Sequence, residues 1–209
     1  MSWSRAYDPT RSRALKPATN TVTDLFEVAV RYVVPLYHAP TSGTRTTSGS
    51  PCGRTSRCSS NISSKSSGRP TLPSHFLGAI VLEQETQSPG KIPVYTVIDG
   101  QQRLTTLQLL LAAAAREAQA HGVEDEAALL GQLVRNNPLK AKGDEVFKVW
   151  PTNRNRTAFT ACVSDGGPDG GHEDDPDNLI DEAFDYFRRR VREWVTQEAT
   201  VEERFRLLR

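Results

Sequence analysis

Five strand-forming residues, Val94 to Ile98 (VYTVI), run straight into Asp99-Gly100 and then into about twenty residues rich in Leu and Ala. β-Branched and aromatic side chains fit a pleated surface, and Asp-Gly breaks the strand. The Leu/Ala run from Gln101 to Ala120 predicts a long helix, closed by Gly122 near its C-terminus. A chain organised around such a strand–turn–helix unit belongs to neither the all-α nor the all-β class.

The flanking segments extend this to an α+β core. Thr23 to Val30 (TDLFEVAV) reads as a helical turn with Thr23 or Asp24 as N-cap. Arg31 to Tyr37 (RYVVPLY) reads as extended, with Pro35 confining it to an edge or a strand end. His75 to Gln84 (HFLGAIVLEQ) predicts a buried strand, where Gly78 allows a bulge or a close backbone approach. The turn at Gln87 to Lys91 makes this strand and VYTVI an antiparallel hairpin. Glu124 to Val134 predicts a helix ending before Asn136-Asn137-Pro138, and Glu145 to Pro151 (EVFKVWP) a strand. From Leu179, the residues Ile180, Ala183, Phe184, Phe187, Val191, Trp194 and Val195 fall on one helical stripe. The expected organisation is a polar, disordered N-terminus (1–20), a core at 21–121 and a mainly helical extension at 122–209. In the core, strands around Val33, Ile80 and Val97 surround the long helix. The chain ends within a further helix-like segment, so the extension reads as cut short.

Residues 38–69 differ in kind. They hold ten Ser and five Thr but no Asp or Glu, a composition that does not offset the entropy of ordering and predicts disorder. The whole chain has 26 Lys+Arg against 25 Asp+Glu, so bulk charge makes no case for a polyanion-binding protein. Its apolar runs fall short of a membrane span, and the N-terminus lacks the apolar centre of a secretory signal. Cys52, Cys58 and Cys162 form no disulfide framework, and a cytoplasmic protein is the natural reading.

The chemistry concentrates at Asp99-Gly100-Gln101-Gln102-Arg103. The first turn of a helix has unpaired N–H groups and a partial positive charge, which together attract anions. Gly100 lets backbone approach a ligand, and Arg103 supplies a planar fork for phosphate oxygens. Asp99 can cap the helix, hold a metal ion through water or position a nucleophilic water, and Gln101 and Gln102 can orient that water. Equally, Asp-Gly is ordinary turn chemistry and Gln, Gln and Arg are good solvent-facing helix formers. Spacing alone leaves both readings open.

The literal string IDGQQRLTTLQLLL resembles the signature of the GmrSD restriction endonuclease N-terminal domain family. HFLGAIVLEQ looks like that family's preceding strand, RYVVPLY like its opening strand and KVWPTNRNRTAF like its segment after the motif helix. The resemblance covers most of residues 21–209 apart from 38–69. It implies a ParB/sulfiredoxin-like core and binding and hydrolysis of a nucleoside triphosphate (GTP, UTP or ATP) with Mg2+. That activity would be coupled to recognition or cleavage of modified phage DNA. On that basis Asp99, Gln101, Gln102 and Arg103 carry over as the catalytic set, and Gly100, Arg103, Thr105 and Thr106 as the nucleotide-binding set. The role of the two threonines is also open to helix packing alone. An HNH-type nuclease, as a further domain or partner subunit, is implied from outside this chain. The alternative is a non-catalytic module that grips DNA or a partner through the same turn.

After Tyr37 the sequence departs from the family, whose members continue with a run resembling YQRPYVW and an acidic, Trp-containing helix. The codons permitted for His38 onward, read one base out of frame, can spell RPYVWNPDDQWEPLWEDV. Three Trp codons fall at Ser-Gly, Ser-Gly and Cys-Gly. This favours a frameshift near codon 38, restored between Ile62 and Pro70, over a genuine low-complexity insertion. A damaged or partial copy is one consequence.

Other clusters carry less. The acidic stretch from Asp165 to Asp177, with His172 and Glu173, lacks the ligand spacing of a calcium loop and reads as solvated. Arg188, Arg189, Arg190 and Arg192 either face DNA phosphates or form a solvent face paired with Asp185 and Glu193. His38, His75, His121 and His172 suit neither an HNH-like nor a zinc-ligand arrangement, and no metal ligands are assigned.

Overall fold

Thr21 opens the first helix, α1 (Val22–Phe26), by a reciprocal capping box. Its hydroxyl accepts from the Asp24 N–H at 3.1 Å, and the Asp24 carboxylate accepts from the Thr21 N–H at 2.8 Å. The expected caps, Thr23 and Asp24, lie inside the helix instead, because Asp24 closes the box from the first turn. A computed structural model describes residues 17–35, 75–86, 90–164, 179–197 and 200–207. The N-terminal 1–16, the whole of 38–69 and the acidic 165–177 lie outside the described residues.

Four strands, β1 (Arg31–Val33), β2 (Val81–Gln84), β3 (Val94–Asp99) and β4 (Val149–Trp150), form a mixed sheet in the order β2-β3-β1-β4. The α+β class expected from sequence is what is found. β2 and β3 are antiparallel, whereas β3 runs parallel to β1 and β1 parallel to β4. Strand alternation then sorts the side chains by face. Tyr32, Tyr95, Val97 and Val149 belong to or pack on the hydrophobic core, while Arg31, Val33, Val94, Thr96 and Trp150 point the other way and do not.

The strand expected at His75–Gln84 is shorter and less buried than its sequence suggested. Only Val81–Gln84 pairs, and Phe76 and Leu77 are 83% and 53% exposed. β2 sits at the edge of the sheet, and Gly78, at φ +103°, turns the preceding chain off the strand axis. Likewise Glu145–Pro151 yields only the two-residue β4, preceded by a 3-10 turn at Gly143–Val146.

The long helix α2 (Gln101–Ala120) and its neighbour α3 (Glu124–Val134) fall where the sequence put them. Ala112, Ala113, Ala114 and Ala118 are buried along α2, and such small side chains permit close helix packing. Onto α2 pack α3, α4 (Asn153–Val163) and α5 (Leu179–Val195). α4 had no counterpart in the sequence reading. All seven residues of the stripe foreseen on α5 belong to or pack against the core. α6 (Val201–Leu207) adds Phe205, so one hydrophobic cluster runs from Phe26 to Phe205.

Lys148 is buried beneath α1, where its ammonium donates to the Phe26 and Val28 carbonyl oxygens at the end of that helix. These acceptors satisfy the cation without a carboxylate, and burial pushes its pKa down to about 8.

Candidate functional site at the start of the long helix

β3 delivers the chain to α2 with no intervening loop, and Gly100 makes the turn. It is the N-cap residue at φ +92°, and its carbonyl accepts the first helical bond from the Leu104 N–H at 3.0 Å. A Cβ at Gly100 would lie 3.0 Å from Ile80 Cγ1 and 3.2 Å from Ile80 Cα. Glycine is therefore required by the dihedral and by the shoulder of β2. The sequence reading foresaw a close approach there, but the described neighbour is Ile80. No side chain caps α2, so Asp99 does not fill the capping role considered for it. The N–H groups of the first turn, from Gln101 to Arg103, stay without intrahelical acceptors.

Arg103 is seated by the segment before β2. Its Nη1 donates to the Ala79 carbonyl at 2.5 Å, and a Cβ on Gly78 would stand 2.6 Å from its Nε. Asp99 Oδ2 lies 3.9 Å from the same Nη1, with the Asp99 and Arg103 side chains 69% and 43% exposed. An ion pair this long and open contributes little stability and can yield to an incoming ligand.

The remaining motif residues divide. Gln101 turns back, donating from Nε2 to the Val97 carbonyl at 3.4 Å, while Gln102 is exposed. Thr105 donates to the Gln101 carbonyl at 3.0 Å, a bond internal to the helix. Thr106 is exposed one turn further on. The structure thus gathers Asp99, Gly100, Gln101, Gln102 and Arg103 at one helix start, with Thr105 and Thr106 beyond it.

Two features here escaped the sequence. The β2–β3 register steps from Leu82↔Val97 to Val81↔Asp99, leaving Ile98 as the extra residue of a bulge. Ile98 is consequently 54% exposed beside the motif. Second, β1, β3 and β4 are parallel, so α2 and α4 begin on the same sheet edge. Trp150, at the end of β4, has Arg31 Cζ 4.9 Å and Arg156 Cζ 4.5 Å from its ring centroid. The two strand-to-helix junctions, IDGQQR and VWPTNR, were the available signal.

The arginine cluster on α5 has a different partner from those expected. Glu117 of α2 is fully buried and accepts from Arg188 Nε at 2.9 Å, Arg192 Nε at 2.8 Å and Arg192 Nη2 at 3.0 Å. Burial alone would raise its pKa, but the hydrogen bonds from the two guanidinium groups, with their charge, outweigh burial and hold it below the usual value. Among the described residues only Arg190 keeps the local partner foreseen for the cluster, Glu193, at 2.7 Å. A cavity of about 990 Å3 opens at the other end of α2, among Arg116, Gln119, Gly131 and Lys148, and no motif residue lines it. Among the described residues no three His, Cys, Asp or Glu side chains form a metal-binding group. No helix among them is long and apolar enough to cross a membrane.

No curated protein matches the chain. One family does, over residues 56–207, nearly three quarters of the length and including both strand-to-helix junctions. By that match the chain belongs to the family described as the GmrSD restriction endonuclease, N-terminal domain.

Proposed function

We propose that this chain binds and hydrolyses a nucleoside triphosphate at the first turn of α2, as the nucleotide-processing part of a modification-dependent DNA restriction system. The observation that carries this reading is the uncapped start of a twenty-residue helix with Arg103 anchored beside it. Free N–H donors at Gln101–Arg103 and the guanidinium fork suit phosphate oxygens, and the open Asp99–Arg103 pair leaves both groups accessible. With one carboxylate at hand, Asp99 would share Mg2+ with the phosphates, the usual mode for that ion. Bound there, Mg2+ supplies charge neutralisation. Gln101 and Gln102 orient the attacking water, and Arg103 meets charge developing on the transferred group. GTP, UTP and ATP are all candidate substrates.

Restriction, the activity in the family's name, supports DNA as partner, and on this reading an HNH-type nuclease outside these residues would make the cut. A ParB/sulfiredoxin-like relationship fits a mixed sheet feeding a helix whose start holds phosphate. The family match begins at residue 56, directly after the codons that can spell RPYVWNPDDQWEPLWEDV. A frame shifted near codon 38 and restored between Ile62 and Pro70 remains part of this reading, and the nucleotide sequence across codons 37–70 tests it.

The test is phosphate release from GTP, UTP and ATP by the chain and by Arg103→Ala. Turnover lost in the variant supports the reading, and equal rates in both would sink it. A non-catalytic module has one observation in its favour: Arg103 is already engaged by Ala79 and Asp99. Tight nucleotide binding with no turnover by the intact chain would select that module.

A further inference from the structure

Arg31, Trp150 and Arg156 form a second cationic cluster outside the motif, and we propose that it contacts the phosphodiester backbone of DNA. The inference rests on the restriction part of the reading above and not on nucleotide hydrolysis. The parallel register pairs Val33 with Trp150, so Arg31, two residues back along β1, projects on the same sheet face as Trp150. α4 starts just after β4 and brings Arg156 over the same indole. Stacking on an aromatic ring fixes a guanidinium plane while leaving its edge donors free for planar, bidentate recognition of phosphate.

Neither arginine has an ion pair among the described residues. Arg156 reaches only the Pro151 carbonyl, at 3.4 Å, and both Nε atoms are buried without an acceptor. Two neighbouring cations in this state repel each other, and an anion drawn to the accessible side of the pair would relieve that repulsion. Burial already lowers the Arg31 pKa, and Arg156 adds to this, with Asp144, Glu145 and Glu85 opposing from beyond ion-pair distance. The patch that the sequence offered to DNA is, by contrast, largely engaged: Arg188 and Arg192 on Glu117, Arg190 on Glu193, and the nearby Arg206 on Glu126, which leaves Arg189, 5.8 Å from the Tyr186 ring centroid, without an ion pair among the described residues. The Trp150 cluster also shares the sheet edge where α2 begins. β1 alone separates β3 from β4, so the two sites stand two strand spacings apart, about 10 Å. A DNA strand held at Trp150 would pass beside the nucleotide.

The experiment is anisotropy of a short fluorescent DNA duplex titrated with the full chain, without nucleotide, between about 50 and 200 mM salt. Arg31→Gln, Arg156→Gln and the double variant are compared with Arg190→Gln, whose residue is paired on α5. Each single change is expected to weaken binding several-fold and to reduce the salt slope by about one, and the double change by about two. Arg190→Gln should bind as the parent does. Should Arg31→Gln fail to melt cooperatively, Arg156→Gln and Arg156→Lys carry the test, the lysine keeping the slope but not the full affinity. Unchanged affinity and slope in the double variant overturns the proposal, as does absence of salt-dependent binding by the parent chain. Inorganic phosphate or free nucleotide bound through these arginines, with no duplex binding, marks a small-anion site and also overturns it. Hydrolysis measured alongside separates the two readings, because losing it with DNA binding intact removes only the motif's proposed role.

Discussion

The guanidinium of Arg103 occupies the space that a side chain on Gly78 would need: a Cβ there would lie 2.6 Å from Nε. Gly78 is also at φ +103°, where L-residues are strained. Gly78→Ala should therefore cost about 1–2 kcal/mol from the dihedral alone and displace Arg103 from Ala79. Phosphate release is expected to fall about ten- to hundredfold, the weight of one charge-assisted hydrogen bond, and to approach the rate of Arg103→Ala. Melting and turnover measured together check this. A variant that is destabilised yet fully active would show that the seat does not matter.

Gly100 separates strain from crowding. Gly100→Ala meets both a positive φ and Ile80, so it should destabilise by roughly 2 kcal/mol in denaturant unfolding. In an Ile80→Ala background the added cost of Gly100→Ala should shrink to the dihedral part. Full additivity of the two changes would mean that Ile80 does not crowd the turn.

Glu117 ties the motif helix to α5 from a fully buried position. Glu117→Ala removes the shared acceptor of two guanidinium groups that are partly exposed and can turn to solvent, and with the lost packing it should cost about 1–2 kcal/mol. Because its folded pKa lies below the unfolded value, the carboxylate contributes stability above the unfolded pKa. That contribution is lost as pH falls through the folded value. The difference in melting temperature between the chain and Glu117→Ala should thus narrow on acidification below the usual carboxylate range.

Lys148 should act at the alkaline end. Its folded pKa of about 8 lies below the ordinary 10.5. Between these values the unfolded chain binds more protons, so this group adds stability as pH rises. Relative to Lys148→Met, the parent chain should gain melting temperature from pH 8 towards 10. A constant difference across that range would contradict the assignment.

The sequence disclosed those parts of the fold whose causes are local. α2 and α3 end where Gly122 and the Asn136-Asn137-Pro138 run stop a helical pattern, and both were read at their observed bounds. The β2–β3 hairpin followed from two apolar runs around a Pro-Gly turn. The misses have distant causes. The extent of β2 depends on its edge position and on Gly78, and α4 carries a weak pattern after Pro151. The partner that Glu117 gives Arg188 lies 71 residues away in sequence, which helical spacing alone does not reveal. The site divides in the same way: Asp99 to Arg103 stand in one string, and Gly78 was foreseen as a place of close approach. That the approaching group is Arg103, and that Trp150 gathers two arginines on the same edge, comes only from the sheet order.

The most direct test of the nucleotide site is amide NMR of the isotope-labelled chain during titration with GTP and Mg2+. Binding at the start of α2 predicts the largest shifts at the backbone N–H groups of Gln101, Gln102 and Arg103, reduced in Arg103→Ala. Shifts confined to the cavity around Arg116 and Lys148, or no shifts at all, would contradict the account.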